Sequence, residues 1–219
     1  MRAKPARLKD QAVLTLLDRA MLGDATSSSE RERRAMLELS IRSDETVMAF
    51  LRRARDLRLP DWRLVSGAVY QTVWNVLAKR PHGYGIKDFD LVYFDGSDLS
   101  FAAEDRAISK AELALRRFPF PVECRNQARV HLWYPQKHGI DYPPLSCTDE
   151  GLTKFLAKAQ AIGIRLEADG RLDIAAPFGL SDLFAMRLTP NPLHSNPKSF
   201  REKADAAKRL WPEVEVVET

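Results

Sequence analysis

The chain is 219 residues long, 45% hydrophobic and 29% charged, with 34 Lys and Arg against 30 Asp and Glu and a formal charge of +4. That length suffices for one large domain with a sizeable core. Four Trp, ten Phe and five Tyr exclude disorder along the whole chain, no apolar run approaches the roughly 18–20 residues that cross a bilayer, and two Cys exclude a disulfide scaffold.

The positive excess is uneven. Residues 1–60 hold 13 Lys and Arg against 9 Asp and Glu, so residues 61–219 are balanced. A basic N-terminal quarter fits either a nucleic-acid partner or a solvated helical surface of mixed sign. Arg2, Lys4, Arg7 and Lys9 do not open a secretory signal, because no apolar core follows them. Asp10 and Asp18 argue against an organelle presequence. The expectation is a cytoplasmic chain without a membrane segment.

In chain order, Leu8 to Met21 carries apolar residues near helical spacing. Ser29 is placed to cap a helix reaching about Ser40. Ser43-Asp44-Glu45 opens another, with Val47, Met48, Phe50, Leu51 and Ala54 inward. Leu59-Pro60 ends it, since the residue before proline avoids the helical region. Residues 1–59 thus read as a helical N-terminal extension and 60–219 as the main domain.

Trp62 to Ser66 reads as a short buried strand, Gly67-Ala68 as a tight turn and Val69 to Leu77 as a helix. The loop Arg80 to Gly85, marked by Pro81, Gly83 and Gly85, leads to a strand over Asp88 to Phe94. Ala103 to Phe118 follows as a helix and Val122 to Arg125 as a strand. Residues 150–162 read as a helix, 166–174 as a hairpin around Asp169-Gly170, and Ser199 to Arg209 as a last helix. Strand and helix alternate, so the fold class is α+β with an α/β-type core.

The chemistry concentrates in strand, Ser66-Gly67, helix, loop, then Asp88-Phe89-Asp90. Residues two apart on a strand share a face, so Asp88 and Asp90 set two carboxylates roughly 6–7 Å apart. Like charges that close repel unless a cation lies between them. Hard oxygen donors suit Mg²⁺ or Mn²⁺, with phosphate oxygens and water completing the shell. Small residues at Ser66-Gly67 let backbone N–H groups and a helix N-terminus approach a phosphate. The run Leu91-Val92-Tyr93-Phe94 marks a buried strand rather than a solvated turn, and a later strand brings its own acid, Glu123.

Trp62–Trp74, Asp88–Asp95, Asn126-Gln127-Ala128-Arg129-Val130-His131 and Ala176-Pro177-Phe178-Gly179-Leu180-Ser181-Asp182-Leu183-Phe184 resemble the bacterial nucleotidyltransferase family proteins of the DNA polymerase β-like superfamily. Trp211-Pro212 also fits, so the likeness spans roughly residues 60–212. The resemblance implies a mixed sheet with packed helices. It implies that Ser66 and Gly67 hold the triphosphate, that Asp88 and Asp90 are the paired metal carboxylates, and that Glu123 is a third carboxylate that activates the attacking hydroxyl. Arg129 or Lys87 then neutralises phosphate charge, while Asn126-Gln127 either contacts the substrate or braces the loop. The implied reaction moves a nucleoside monophosphate from NTP to an unidentified acceptor and releases pyrophosphate. The alternative is a non-catalytic nucleotide- or RNA-binding module on the same fold. Cys124 and Cys147 lack zinc spacing.

Overall fold

A computed structural model describes residues 18–218. The helix expected over 8–21 lies mostly outside the described residues, as do Arg2, Lys4, Arg7 and Lys9. The first described helix is α1 (Arg19–Gly23), which starts at Asp18, whose carboxylate caps the N–H groups of Ala20 and Met21. The described N-terminal segment continues as α2 (Glu30–Ser43) and α3 (Glu45–Asp56). Ser29 caps α2 through a reciprocal capping box with Glu32, and Asp44 caps α3 by accepting from Thr46 and Val47. Leu37, Ile41, Val47, Phe50 and Leu51 on these helices are fully buried in the same core cluster as Leu64, Trp74 and Phe89.

The main body runs β1 (Arg63–Val65), α4 (Gly67–Leu77), β2 (Phe89–Tyr93), α5 (Phe101–Leu115) and β3 (Val122–Asn126). A 3₁₀ turn over Gln127–Leu132 leads to the short helices α6 (Tyr134–His138) and α7 (Thr148–Leu152). Then come β4 (Gly163–Leu166), β5 (Leu172–Ala175), α8 (Ser181–Ala185), β6 (Arg187–Leu188), α9 (Pro197–Leu210) and β7 (Glu215–Val216). Five strands form one sheet in the order β3-β2-β1-β4-β5. β2 and β3 are parallel, joined by the α5 crossover; the other neighbours are antiparallel. The sheet is therefore mixed, as expected, with helices packed on it. No described helix is long and apolar enough to cross a membrane.

One register row explains the sheet's two faces. Leu64 lies opposite Leu91 and Ile164, and Leu91 opposite Cys124. All four are buried, with Phe89 between Phe50, Phe118 and Phe120 at ring separations of 5.0, 4.8 and 5.3 Å. The alternate residues, Val65, Asp90, Val92, Glu123 and Arg125, take the other face.

The helix expected over 150–162 is a correction. The α7 helix stops at Leu152, and the Asn191 amide takes the carbonyls of Thr153 and Phe155 at 2.6 and 2.7 Å, drawing the chain out of the helix. Leu152, Ala157, Ala159, Ala161 and Ile162 are each buried to within 1%. A largely buried segment needs no clean amphipathic stripe, so apolar content alone misreads it.

Candidate active site

The site starts at the end of β1. Ser66 has φ +62° and ψ −136°, a region that a residue with a Cβ seldom adopts and that costs of order 1–3 kcal/mol. The strain falls on Ser66 rather than on Gly67, which begins α4 with helical geometry. The Ser66 carbonyl accepts from Val69 and Tyr70, and its side chain makes no capping bond. The first-turn N–H groups of Gly67 and Ala68 thus point out of the helix end without an intrahelical acceptor, as at any α-helix start.

Asp90 lies directly opposite Val65 on one side and Glu123 on the other. Three adjacent strands therefore bring the Ser66 turn, Asp90 and Glu123 abreast, with Asp88 one residue before β2 begins. Burial pushes the Asp90 carboxyl up to about 6, and the charges of Asp88 and Glu123 push the same way; the Ser66 hydroxyl and Lys203 pull it back. Tyr70, on α4, is likewise raised, first by burial and also by Asp90 and Asp88, while Gln71 and Gln160 hold its hydroxyl. No basic side chain pairs with Asp88 or Asp90 among the described residues.

The loop that delivers Asp88 is anchored by the end of α9. The Trp211 indole donates to Asn75 at 3.1 Å, and the Asn75 amide donates to the Tyr84 carbonyl at 2.9 Å. The Tyr84 hydroxyl donates to the Leu210 carbonyl at 3.2 Å. Gly85 has φ +74°, and a Cβ there would lie 2.4 Å from the Trp211 ring. The loop fits against Trp211 only with glycine at that position.

A nucleotidyltransferase family model matches residues 52–216, about three quarters of the chain. The chain belongs to the nucleotidyltransferase family. Among solved structures it is similar to one described as "The NMR structure of the protein reveals a CCA-adding enzyme head domain". The two are 23% identical with a TM-score of 0.67, over 85% of this chain and 96% of that one, which shows a shared fold. No curated protein matches.

Within this nucleotidyltransferase, Asn126 and Arg129 correct the expectation that they contact a nucleotide. Asn126 is 2% exposed, and its side chain closes a reciprocal pair with the Asp95 backbone at 3.0 and 2.9 Å while capping the 3₁₀ turn at Ala128. Arg129 pairs with buried Glu104 and donates to the Leu99 carbonyl, so its charge is already matched. Both residues brace the far end of β3. Lys87 is exposed beside Asp88. Glu123 is half exposed, 4.0 Å from Arg125. Tyr70 and Lys203 are the additions that sequence reasoning missed. Tyr70 had a weak signal, four residues into the helix after the turn; Lys203 had none, being one of several basic residues on a remote helix.

The residues at this site fit a divalent cation. Among the described residues no three His, Cys, Asp or Glu side chains stand in a ready-made cage. Mg²⁺ and Mn²⁺ do not require one, since one or two carboxylates with water and phosphate oxygens suffice. Burial first, and then the charges of Asp88 and Glu123, raise the Asp90 carboxyl, and a divalent ion bound to these hard oxygen donors would offset both. Burial pushes the Cys124 thiol up to about 12, a protonated and inert residue rather than a ligand.

Proposed function

We propose that this nucleotidyltransferase uses Asp88, Asp90 and Glu123 to move a nucleoside monophosphate from NTP to an acceptor hydroxyl. The observation that carries the reading is the register row in which Asp90 stands between the Ser66 turn and Glu123. A bare pair of carboxylates suits many purposes. Carboxylates beside an open helix start, with a third on the next strand, suit phosphoryl chemistry.

In this reading the N–H groups of Gly67 and Ala68 bind phosphate oxygens of the donor, and Ser66 braces both the turn and Asp90. Lys203 and Lys87 balance phosphate charge. Asp88 and Asp90 would hold Mg²⁺ or Mn²⁺, which when bound neutralises phosphate oxygens and makes an acceptor hydroxyl more acidic. Glu123, the most exposed of the three, orients the acceptor and takes its proton. The acceptor oxygen bonds to the α-phosphorus, the bond from that phosphorus to the bridging oxygen breaks, and pyrophosphate leaves with the electron pair. Holding the partners in line supplies much of the rate.

NTP with Mg²⁺ is expected to raise the melting temperature by mass action. Asp88→Asn combined with Asp90→Asn removes that gain and the transfer of label from α-³²P-NTP into products of a cell extract. A gain in melting temperature that persists in the double variant refutes the assignment.

A further inference from the structure

The loop between α4 and β2 carries Asp88, and most of its contacts do not titrate near neutral pH. Tyr84 and Gly85 fit against the end of α9, Gly83 lies where a Cβ would meet the Phe120 ring at 3.1 Å, and Arg80 pairs with Glu213 at 3.2 Å. One contact does titrate. His82 Nδ1 lies 3.1 Å from Asp44 Oδ2, 38 residues earlier. Asp44 stands at the junction of two N-terminal helices, ending α2 and capping α3. Its side chain is 3% exposed, against 62% for His82. A carboxylate so buried needs partners, and it has the N–H groups of Thr46 and Val47 and the imidazole. Burial alone would raise the Asp44 carboxyl, but these bonds outweigh it and hold it below its ordinary value. The Asp44 bond in turn raises the imidazole above its ordinary value, with burial opposing and the carboxylate charge adding to it. Among the described residues Asp44 is the one charged group that acts on His82, since neighbouring Glu45 turns to Arg52 at 3.8 Å.

We propose that His82 and Asp44 form a pH-sensitive latch: the imidazolium ties the loop that carries Asp88 to the α2–α3 junction, and loss of its proton slackens that loop. A neutral imidazole still donates Nδ1–H to the carboxylate, so the tie weakens rather than breaks. A hydrogen bond is stronger when both partners are charged. The sign follows from the raised imidazole. The contribution of the ion pair is complete below the ordinary value of 6.5 and is lost as pH rises through the raised value of His82. His82 is a positioning residue, six residues from Asp88 in the chain. Two turns lie between them, with the Tyr84 N–H donating to the Pro81 carbonyl at 3.1 Å and the Ile86 N–H to the Gly83 carbonyl at 3.2 Å. The latch itself is independent of the transfer reading; only its effect on catalysis rests on that reading.

The test is an NMR pH titration of the full chain, with the four His rings assigned by substitution. His82 is expected to titrate above the ordinary imidazole value. Asp44→Asn, which keeps a capping side chain on α3, brings it back. In the natural chain the protection of the Tyr84 and Ile86 amides against hydrogen exchange falls roughly 2- to 5-fold across the His82 transition, as for one solvent-accessible ion pair. His82→Gln cannot ionise and removes that step. The two variants report separately, so a fold lost in one leaves the other to decide. A His82 midpoint that stays in place in Asp44→Asn, or amide protection that ignores the His82 transition, overturns the latch. For catalysis, the KM for NTP with Mg²⁺ is expected to rise across the same transition in the natural chain and to stay level in His82→Gln; an equal rise in His82→Gln overturns the part of the latch in catalysis. A chain that shows the NMR signature but transfers no label at any pH refutes the transfer reading and leaves the latch standing.

Discussion

Asp90→Asn is expected to stabilise the protein while stopping transfer. The carboxyl is displaced from its ordinary 3.8 to about 6, chiefly by burial and then by Asp88 and Glu123. A raised carboxyl is better accommodated protonated in the folded chain than in the unfolded one. Its favourable contribution is therefore complete below about pH 4, declines as pH rises through about 6, and is gone above that. At pH 7 the ionised group costs at most about 3 kcal/mol relative to its uncharged form, and solvent relaxation around a partly exposed side chain reduces this to about 1–3 kcal/mol. Asparagine has the same shape without the charge. Urea titrations in EDTA at pH 7.5 and pH 4 measure the gap between variant and natural protein. The variant should be more stable by about 1–3 kcal/mol at the higher pH, or several degrees in melting temperature for a chain of this size, with the gap closing at the lower pH. Adding NTP and Mg²⁺ should reverse the order, because only the natural site gains from the ligand. A variant less stable at pH 7.5, or a gap indifferent to pH, refutes the idea that the site carries unrelieved negative charge.

Gly85→Ala should cost about 2–4 kcal/mol in a urea titration and reduce transfer, because φ +74° and the 2.4 Å approach to Trp211 leave no place for a methyl group. A shift under about 0.5 kcal/mol would show that the loop and α9 separate freely. The native protein should react with a thiol reagent at Cys147 alone. Cys124, 3% exposed and with its thiol pushed up to about 12, should react only after denaturant is added, and equal rates for both would contradict its burial.

Much of the site was legible because it is local. A strand, a small-residue turn, a helix and an acidic strand follow one another within about thirty residues, and period-two alternation assigns Asp90 to one face without any knowledge of neighbours. The same rule separates Glu123 from Asn126, three residues on, and the buried bonds of Asn126 to the Asp95 backbone follow from that separation. Arg129 misled because a guanidinium reads as a phosphate partner until its carboxylate is found, and Glu104 lies 25 residues earlier on α5. The segment 150–162 misled for a related reason. Its conformation is set by Asn191, a residue from a distant loop.

What the sequence concealed is the part of the site built by long-range packing. The charge of Lys203, on α9 and more than a hundred residues away in the chain, draws the Asp90 carboxyl down, and the orientation of α9 depends on Trp211 seated between Asn75, Tyr84 and Gly85. The C-terminal helix is therefore part of the site's framework rather than an appendage. The charge of its Lys203 acts on Asp90, and its end fixes the loop that carries Asp88. A strained Ser66 and a crowded Asp90 both work against folding, and they persist because the surrounding aromatic core, Trp74 on Trp211 at 5.6 Å and Phe50 on Phe89 at 5.0 Å, outweighs them. The carboxylates proposed to act at the site and the residues that hold it in place are thus different sets. Only the first has a sequence pattern of its own.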